Sequence, residues 1–295
     1  MANLADPRYV EQRLVQRNSN ARGVGLFTTR SLTAGSLLLN EPLLFDVEGL
    51  GAGLLTRVFN EYIQLFDNAK RKYQQLKCNE VVHTPLRSAD SSNAMLQHAQ
   101  ERRRVLAIFE TNHCAIGDGR YGIFLKFSRL NHSCTPNAFW WYVPEPRMMY
   151  VRAMRDLAQG EEVFIGYACT STMGPYSDRA IRLPFTCKCS TCRSSSRQES
   201  DRRRVQIKTL HARLKARVKP VLEGESLLQN YPEPVGINLA RAFLFLVREE
   251  NLYAELVTGY KFLAVFQMRN GRKDEAAQSL SLAEEQDQIC RGETD

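Results

Sequence analysis

The spacing of apolar residues divides the chain into a part rich in short strands and two helical parts. Aromatic and aliphatic runs at residues 138–143 and 148–154, separated by a Pro-Glu-Pro segment, predict a β-hairpin. Residues 22–43 predict two short strands about an Ala-Gly turn. Further extended segments are predicted at residues 122–128 and 163–167.

Apolar residues recur every three or four positions in residues 50–115 and again from Asp201 onward, which predicts amphipathic helices. Residues 193–198 are rich in Ser and Arg and are interpreted as a linker. Residues 270–283 place a glycine before a new helix, a pattern similar to tetratricopeptide helical pairs. A plain helical bundle packed on the strand-rich part is the alternative.

A polar segment at residues 129–137 has the sequence Arg-Leu-Asn-His-Ser-Cys-Thr-Pro-Asn, and we call it the hub segment. Its proline excludes regular helix and most central strand positions, so we expect a fixed turn rather than a strand. In such a turn Asn131 and His132 can face a bound ligand while Cys134 points elsewhere. The alternative is a polar turn whose Asn and Pro residues only set the backbone.

Length and composition favour a main domain with a second, smaller domain. The chain has 295 residues, of which 43% are hydrophobic, enough to bury a core. No apolar run approaches the ~20 residues of a membrane span, and no secretory signal pattern is present at the start. We therefore expect a soluble intracellular protein, cytoplasmic or nuclear, without a membrane partner.

The net charge of +8 is concentrated in one segment. Residues 193–219 hold ten basic and two acidic residues, so the net charge of this segment equals that of the whole chain. Such a segment can contact nucleic acid or an acidic partner. The alternative is the solvated face of a surface helix, since no aromatic residue interleaves the charges.

Three of the eight cysteines, Cys187, Cys189 and Cys192, fall within six residues. Tetrahedral Zn²⁺ binds thiolates at about 2.3 Å and needs a fourth ligand beyond these three. Free thiols on a loop are the alternative, and they would leave three reactive groups side by side.

Four segments, in their order along the chain, resemble the SET-domain protein lysine methyltransferases. They are Arg-Gly-Val-Gly-Leu-Phe at 22–27, the hub segment, Gly-Glu-Glu-Val-Phe-Ile-Gly-Tyr at 160–167, and Phe-Thr-Cys-Lys-Cys-Ser-Thr-Cys at 185–192. The resemblance is to the SMYD-like and fungal-type members. Residues 50–115 hold only Cys78 and Cys114, so the MYND zinc module of the SMYD branch is expected to be absent.

The resemblance implies an α+β SET-domain fold of short β-strands with a pseudoknot, a helical insertion, a post-SET zinc site and an α-helical C-terminal domain. The implied divisions are residues 1–48 and 112–182 for the two parts of the SET domain, 49–111 for the insertion, 183–195 for the zinc segment and 196–295 for the helical domain.

The same resemblance implies S-adenosylmethionine as the methyl donor and Tyr167 as the catalytic residue. The alternative is a buried structural tyrosine whose hydroxyl is capped by backbone. It implies that His132 binds the cofactor through its backbone and is not a general base. The residues expected to bind the cofactor are Arg22, Val24, Gly25, Asn112, Ser128, Leu130, Asn131, His132, Tyr167 and Phe185. The residues expected to bind Zn²⁺ are Cys134, Cys187, Cys189 and Cys192, with Cys134 as the fourth ligand.

The implied activity is methyl transfer to the side-chain amine of a protein lysine by a monomeric enzyme. One alternative is a catalytically silent SET-fold, zinc-containing scaffold. Gly166 favours that alternative because many relatives have Asp or Ser there, and Cys114 favours it because SMYD-like enzymes often have Phe. A nucleic-acid-binding protein built around residues 193–219 is the third reading.

Overall fold

The computed structural model describes residues 12–19, 22–78, 94–167, 173–222 and 234–292. The strands are β1 Leu14–Asn18, β2 Val24–Thr28, β3 Leu37–Pro42, β4 Phe45–Glu48, β5 Cys114–Gly117, β6 Arg120–Ile123, β7 Asn131–His132, β8 Ala138–Val143, β9 Met148–Ala153 and β10 Phe164–Ile165. The helices are α1 Leu54–Gln64, α2 Asp67–Gln74, α3 Ala94–Asn112, α4 Tyr176–Ala180, α5 Ser190–Arg193, α6 Arg197–Leu222, α7 Pro234–Glu249, α8 Glu255–Arg269 and α9 Lys273–Arg291.

Small sheets build the strand-rich part. The order β3-β9-β8 forms one antiparallel sheet, β4-β6-β5 forms a second, and β1 pairs antiparallel with β2. The predicted hairpin of β8 and β9 is confirmed. Alternate residues of β9, namely Met149, Val151 and Ala153, are fully buried in the core of this part, as a half-buried strand requires.

The predicted strands within residues 22–43 form, but they do not pair with each other. β2 pairs with β1, and β3 pairs with β9. The Ala-Gly turn lies between them, with Gly35 at φ +78°. Burial explains why β2 and β3 pair with different strands. The strand β3 buries Leu37, Leu38 and Leu39 beside β9, whereas β2 runs toward the hub segment.

The extended run predicted at residues 122–128 is wrong beyond Ile123, where β6 ends. The carboxylate of Glu41 accepts hydrogen bonds from the backbone amides of Lys126 and Phe127, at 2.8 to 3.0 Å. These bonds satisfy amides that a strand ladder would otherwise use, and the chain continues as a 3₁₀ turn at Phe127–Arg129.

The prediction that the hub segment is a turn and not a strand is also wrong, at the start of the segment. Asn131 and His132 form β7, which pairs parallel with Phe164 and Ile165 of β10. The strand β10 covers only Phe164–Ile165 of the extended segment predicted at residues 163–167. The backbone groups of the hub segment are buried and need partners, and β10 supplies them. Cys134 follows directly after this short pairing.

The helices predicted within residues 50–115 are confirmed as α1, α2 and α3, which bury Val58, Tyr73, Ile108 and Phe109 against β4 and β6. The helical prediction is wrong at residues 114–115, where β5 begins, and its part at residues 79–93 lies outside the described residues. Of the C-terminal helices, α6 to α9, the first three enclose a further core that includes Ile207, Phe243 and Phe262. The predicted linker at residues 193–198 is too long, because Arg193 ends α5 and Arg197 begins α6.

The basic segment of residues 193–219 coincides with most of α6 and is not solvated throughout. Arg204 is completely buried and ion-pairs with Glu250, which also binds Arg203. Lys208 ion-pairs with Asp178. Contact of the outward-facing cations with nucleic acid or an acidic partner stays a prediction. None of the helices in the described ranges is long and apolar enough to cross a membrane.

Candidate active site and metal centre

Four cysteine thiols converge where the hub segment meets α5. The sulfurs of Cys134, Cys187, Cys189 and Cys192 all lie within 4.8 Å of one another, and all four residues are buried. We call this group the cysteine cluster. The Sγ of Cys134 lies 3.9 Å from that of Cys187 and 3.6 Å from that of Cys192.

These separations fit a metal ion and not a disulfide. Four thiolates at about 2.3 Å from a tetrahedral Zn²⁺ stand about 3.8 Å apart, whereas bonded sulfurs lie about 2.05 Å apart. All four cysteines are free. The residues present therefore fit Zn²⁺.

Two buried arginines lie beside the cysteine cluster. A guanidinium nitrogen of Arg179 lies 3.8 Å from the Sγ of Cys192, and one of Arg204 donates to the carbonyl of Cys134 at 3.2 Å. Four thiolates around Zn²⁺ leave two net negative charges, which neighbouring cations and donors stabilise. Because Arg204 belongs to α6, the C-terminal helices take part in this environment.

The Glu162 carboxylate connects the start of β2 to the hub segment. Its Oε2 accepts a hydrogen bond from Ser19 Oγ at 2.6 Å, and its Oε1 accepts one from Asn131 Nδ2 at 2.8 Å. The guanidinium of Arg22 lies 3.8 Å from the same carboxylate. Glu162 therefore orients the amide of Asn131, which also donates to the carbonyl of Val24 at 3.2 Å.

Gly25 leaves room for the contact between the side chains of Glu162 and Asn131. A Cβ at position 25 would lie 2.3 Å from Glu162 Oε1 and 2.9 Å from Asn131 Nδ2. Real Cβ contacts are never that short, so the two side chains would have to move. Glycine at position 25 is thus explained by close packing.

Tyr167 lies at the end of this arrangement and is held at two points. Its hydroxyl donates to the carbonyl of Leu130 at 2.7 Å, and its backbone N–H donates to His132 Nδ1 at 3.2 Å. Burial of the hydroxyl, and then the Glu162 carboxylate, raise the pKa of Tyr167 to about 12. The phenol is therefore protonated at neutral pH, although the side chain as a whole is 45% exposed.

Three rings cluster at the same place. The ring of His132 lies 5.3 Å from that of Tyr167 and 6.3 Å from that of Phe185, and the Tyr167 and Phe185 rings are 6.2 Å apart. Desolvation lowers the pKa of His132 to about 4, so its imidazole is neutral at pH 7. Phe185 is 44% exposed, which leaves one side of the ring cluster open to solvent.

The structure brings most of the predicted site residues together. The contacts above join Arg22, Val24, Gly25, Leu130, Asn131, His132, Tyr167 and Phe185. The side chain of Arg22 also donates to the carbonyl of Lys188 at 3.0 Å. Asn112 and Ser128 form a separate pair, in which Ser128 Oγ donates to the carbonyl of Asn112 at 3.3 Å. The amide of Asn112 donates to the carbonyls of Lys77 and Ile108, both at 2.7 Å. The cofactor contacts assigned to all ten residues stay predictions.

Comparison with known protein families matches residues 23–168 to the SET domain. The chain therefore carries a SET domain. This SET-domain chain is 29% identical over 165 residues to the N-lysine methyltransferase SMYD2 of Sus scrofa, covering 54% of the chain and 36% of that relative. It is 32% identical over 107 residues to the histone-lysine N-methyltransferase set5 of Schizosaccharomyces pombe, covering 35% of the chain and 34% of that relative.

These matches span about a third of the length of the two relatives. Among solved structures, the SET domain of LSMT bound to lysine and AdoHcy aligns with a TM-score of 0.40 at 9% identity, covering 95% of this chain and 88% of that one. The SET-domain fold predicted from the four motifs is confirmed by the family match.

Sequence reasoning missed three charged residues around the SET-domain site. Glu162 stood within the quoted Gly-Glu-Glu motif, so a signal existed in the motif itself. Arg179 and Arg204 gave no usable signal. Arg204 is one of ten cations in residues 193–219, and its complete burial depends on Glu250, 46 positions away.

Proposed function

We propose that this chain is a zinc-containing methyltransferase that uses S-adenosylmethionine to methylate the side-chain amine of a protein lysine. We further propose that it acts as a monomer in the cytoplasm or nucleus. The observation that carries the proposal is the position of Tyr167. Its hydroxyl is hydrogen-bonded to the hub segment and lies beside the rings of His132 and Phe185. The partial likeness to N-lysine and histone-lysine methyltransferases supports the same reaction class.

The chemistry requires alignment more than a strong base. A lysine amine has a pKa near ~10.4 and must lose its proton before it can attack a methyl group. S-adenosylmethionine, when bound, supplies an electrophilic methyl group and a positive charge that favours the neutral amine. Holding two reactants in line is worth on the order of 7 kcal/mol or more in favourable cases.

The Tyr167 hydroxyl can provide this alignment. Its proton is donated to the carbonyl of Leu130, so the lone pairs of its oxygen are left to accept a hydrogen bond from the substrate amine. Accepting an amine N–H turns the nitrogen lone pair away from the tyrosine and toward the methyl donor. The raised pKa of Tyr167, about 12, keeps the hydroxyl protonated while it does so.

Most of the residues that would hold the cofactor are joined to Tyr167 by the contacts described above, and Asn112 and Ser128 form a separate pair. We assign this role to Arg22, Val24 and Gly25 at the start of β2, to Asn131 and His132 in the hub segment, and to Leu130, Phe185, Asn112 and Ser128. Glu162 supports Asn131 by accepting its amide. The exposed rings of Tyr167 and Phe185 would mark the side from which substrate enters.

The cysteine cluster would hold one Zn²⁺ in a closed, four-thiolate site. Such sites are structural, since no coordination position is left for substrate. The metal would tie residues 187–192 to the hub segment and so keep Phe185, two residues before the first thiol, beside Tyr167.

The test is incubation of purified protein with labelled S-adenosylmethionine and a cell extract. Wild type should label a protein band, and Tyr167→Phe should lose about 10²- to 10⁴-fold in rate, the range for a positioned proton-transfer or orienting group. Tyr253→Phe is the matched control, because it removes the same atom from the turn between α7 and α8, where that hydroxyl donates to Asn251.

Both variants should retain the zinc content and melting temperature of wild type, so that loss of label reports on the site. A wild type that binds the cofactor and labels nothing would favour the silent scaffold. Equal labelling by wild type and Tyr167→Phe would remove Tyr167 from the mechanism.

A further inference from the structure

The imidazole of His132 lies between the cysteine cluster and Tyr167 and contacts both. Its Nε2 is 3.5 Å from the Sγ of Cys134, within hydrogen-bonding range for sulfur. Its Nδ1 is 3.2 Å from the backbone nitrogen of Tyr167. The residue is buried, and its ring packs against those of Tyr167 and Phe185.

These two contacts fix the tautomer of the ring. A backbone N–H can only donate, so the Nδ1 of His132 must be the unprotonated acceptor. A neutral imidazole then carries its proton on Nε2, and that proton faces the Cys134 sulfur. A metal-bound thiolate accepts hydrogen bonds and cannot donate them, so the direction of both bonds is consistent with a loaded metal site.

We infer that His132 is a positioning residue that joins the metal centre to the backbone of Tyr167 through its two ring nitrogens. The Nε2 proton stabilises the Cys134 thiolate, and Nδ1 holds the amide of Tyr167, which sets where its hydroxyl reaches. The catalytic half of this inference rests on the proposed function, whereas the metal half does not. The simpler reading is a core histidine that only fills space beside two aromatic rings.

A pair of amide substitutions separates the two nitrogens. In His132→Asn the side-chain oxygen replaces Nδ1 as the acceptor for Tyr167, and the donor toward Cys134 is lost. In His132→Gln the side-chain nitrogen replaces Nε2 as the donor, and the acceptor toward Tyr167 is lost. His132→Phe keeps a ring of similar size and removes both bonds.

Three measurements are made on each full-length variant. They are zinc affinity by chelator competition, the thiolate-to-metal charge-transfer absorption of the cobalt-substituted protein, and hydrogen exchange at the Tyr167 amide. Loss of an outer hydrogen-bond partner of a metal ligand typically lowers metal affinity 10- to 100-fold. We expect that loss, with a shifted cobalt band, in His132→Asn and His132→Phe, and near-wild-type metal binding in His132→Gln.

The Tyr167 amide should exchange faster in His132→Gln and His132→Phe, while His132→Asn protects it. Methyl transfer should fall 10- to 100-fold in His132→Gln although its metal site is intact. A His132→Phe variant with wild-type zinc affinity, cobalt spectrum and amide exchange would overturn the inference in favour of simple packing. A wild type without methyl transfer would overturn the proposed function alone, because the metal and exchange measurements do not depend on turnover.

Discussion

The hub segment and the C-terminal helices are stabilised by opposite kinds of contact. Around the hub segment, a few polar contacts join residues far apart in sequence, such as Ser19 with Glu162 across 143 positions. The C-terminal helices instead bury a continuous set of apolar side chains, including Ile207, Phe243 and Phe262. A site that depends on a few specific bonds has a well-defined geometry, but a single substitution can abolish its function. The apolar core tolerates many substitutions.

The two regions also use carboxylates differently. Glu162 binds Ser19 and Asn131, which are neutral donors, and its closest cation, Arg22, lies 3.8 Å away. Glu250 binds Arg203 and Arg204 directly. The first carboxylate orients the amide of Asn131, and the second neutralises a guanidinium that is completely buried.

The largest expected effect comes from breaking the cysteine cluster. Cys189→Ser should reduce the zinc content from one ion per chain to none and abolish methyl transfer, because closed thiolate sites contribute about 10–16 kcal/mol of binding free energy. Metal analysis of the purified protein measures this. Cys290→Ser is the control, since that buried cysteine lies in α9 outside the cluster and should leave one zinc bound. Two tightly bound zinc ions in wild type would contradict the single-site description.

The next largest effect is expected at the charged core of the C-terminal helices. Glu250→Ala leaves the completely buried Arg204 without its carboxylate, and removing one partner of such a pair costs about 3–5 kcal/mol. Urea denaturation should show this loss in the free energy of unfolding. The double variant Arg204→Met with Glu250→Leu should lie closer to wild type. Equal destabilisation of the single and double variants would mean that the charge pair is not the cause.

The same carboxylate predicts a pH dependence of stability. Burial raises the pKa of Glu250, but Ser200, Arg203 and Arg204 outweigh that influence and hold its pKa below the ordinary value. A carboxyl group with a lowered pKa in the folded state adds stability above its unfolded value of about 4.3, and this contribution is lost as the pH falls below it. Thermal melts across that range should therefore decline more steeply for wild type than for Glu250→Ala.

The smallest effect is expected from tightening the apolar packing between α7 and α8. A Cβ at Gly236 would lie 2.3 Å from the Cδ1 of Phe266. Overpacking costs about 1–3 kcal/mol, whereas alanine in place of glycine favours a helix by about 1 kcal/mol. Gly236→Ala should thus destabilise by about 1 kcal/mol in urea denaturation. Gly51→Ala is the control, since nothing lies within 4 Å of its Cβ position, and a gain in stability at Gly236 would show that Phe266 can move aside.

The sequence was informative wherever the signal was local or carried by a motif. The β8–β9 hairpin followed from two hydrophobic runs about a Pro-containing turn, and the convergence of the thiols followed from the resemblance carried by the Cys187 segment and Cys134. Strand pairing was not local, so the separate partners of β2 and β3 were missed.

Single polar residues that act over long separations were missed as well. Glu41 ends the run after β6 from 85 positions away, and nothing in its neighbourhood distinguishes it from a surface acid. Arg204 lies among cations of the same kind in a helix. Only the folded chain shows which of them is buried and which carboxylate it meets.

The bond from Arg204 to the carbonyl of Cys134 bears on how short a working fragment can be made. A fragment ending near residue 195 would keep all four thiols but lose the donor to that carbonyl. Ending it between Arg204 and Glu250 would retain the guanidinium and discard its counterion. The shortest fragment with an intact metal centre should therefore continue through Glu250, so that α6 and α7 behave as a structural part of the SET-domain unit.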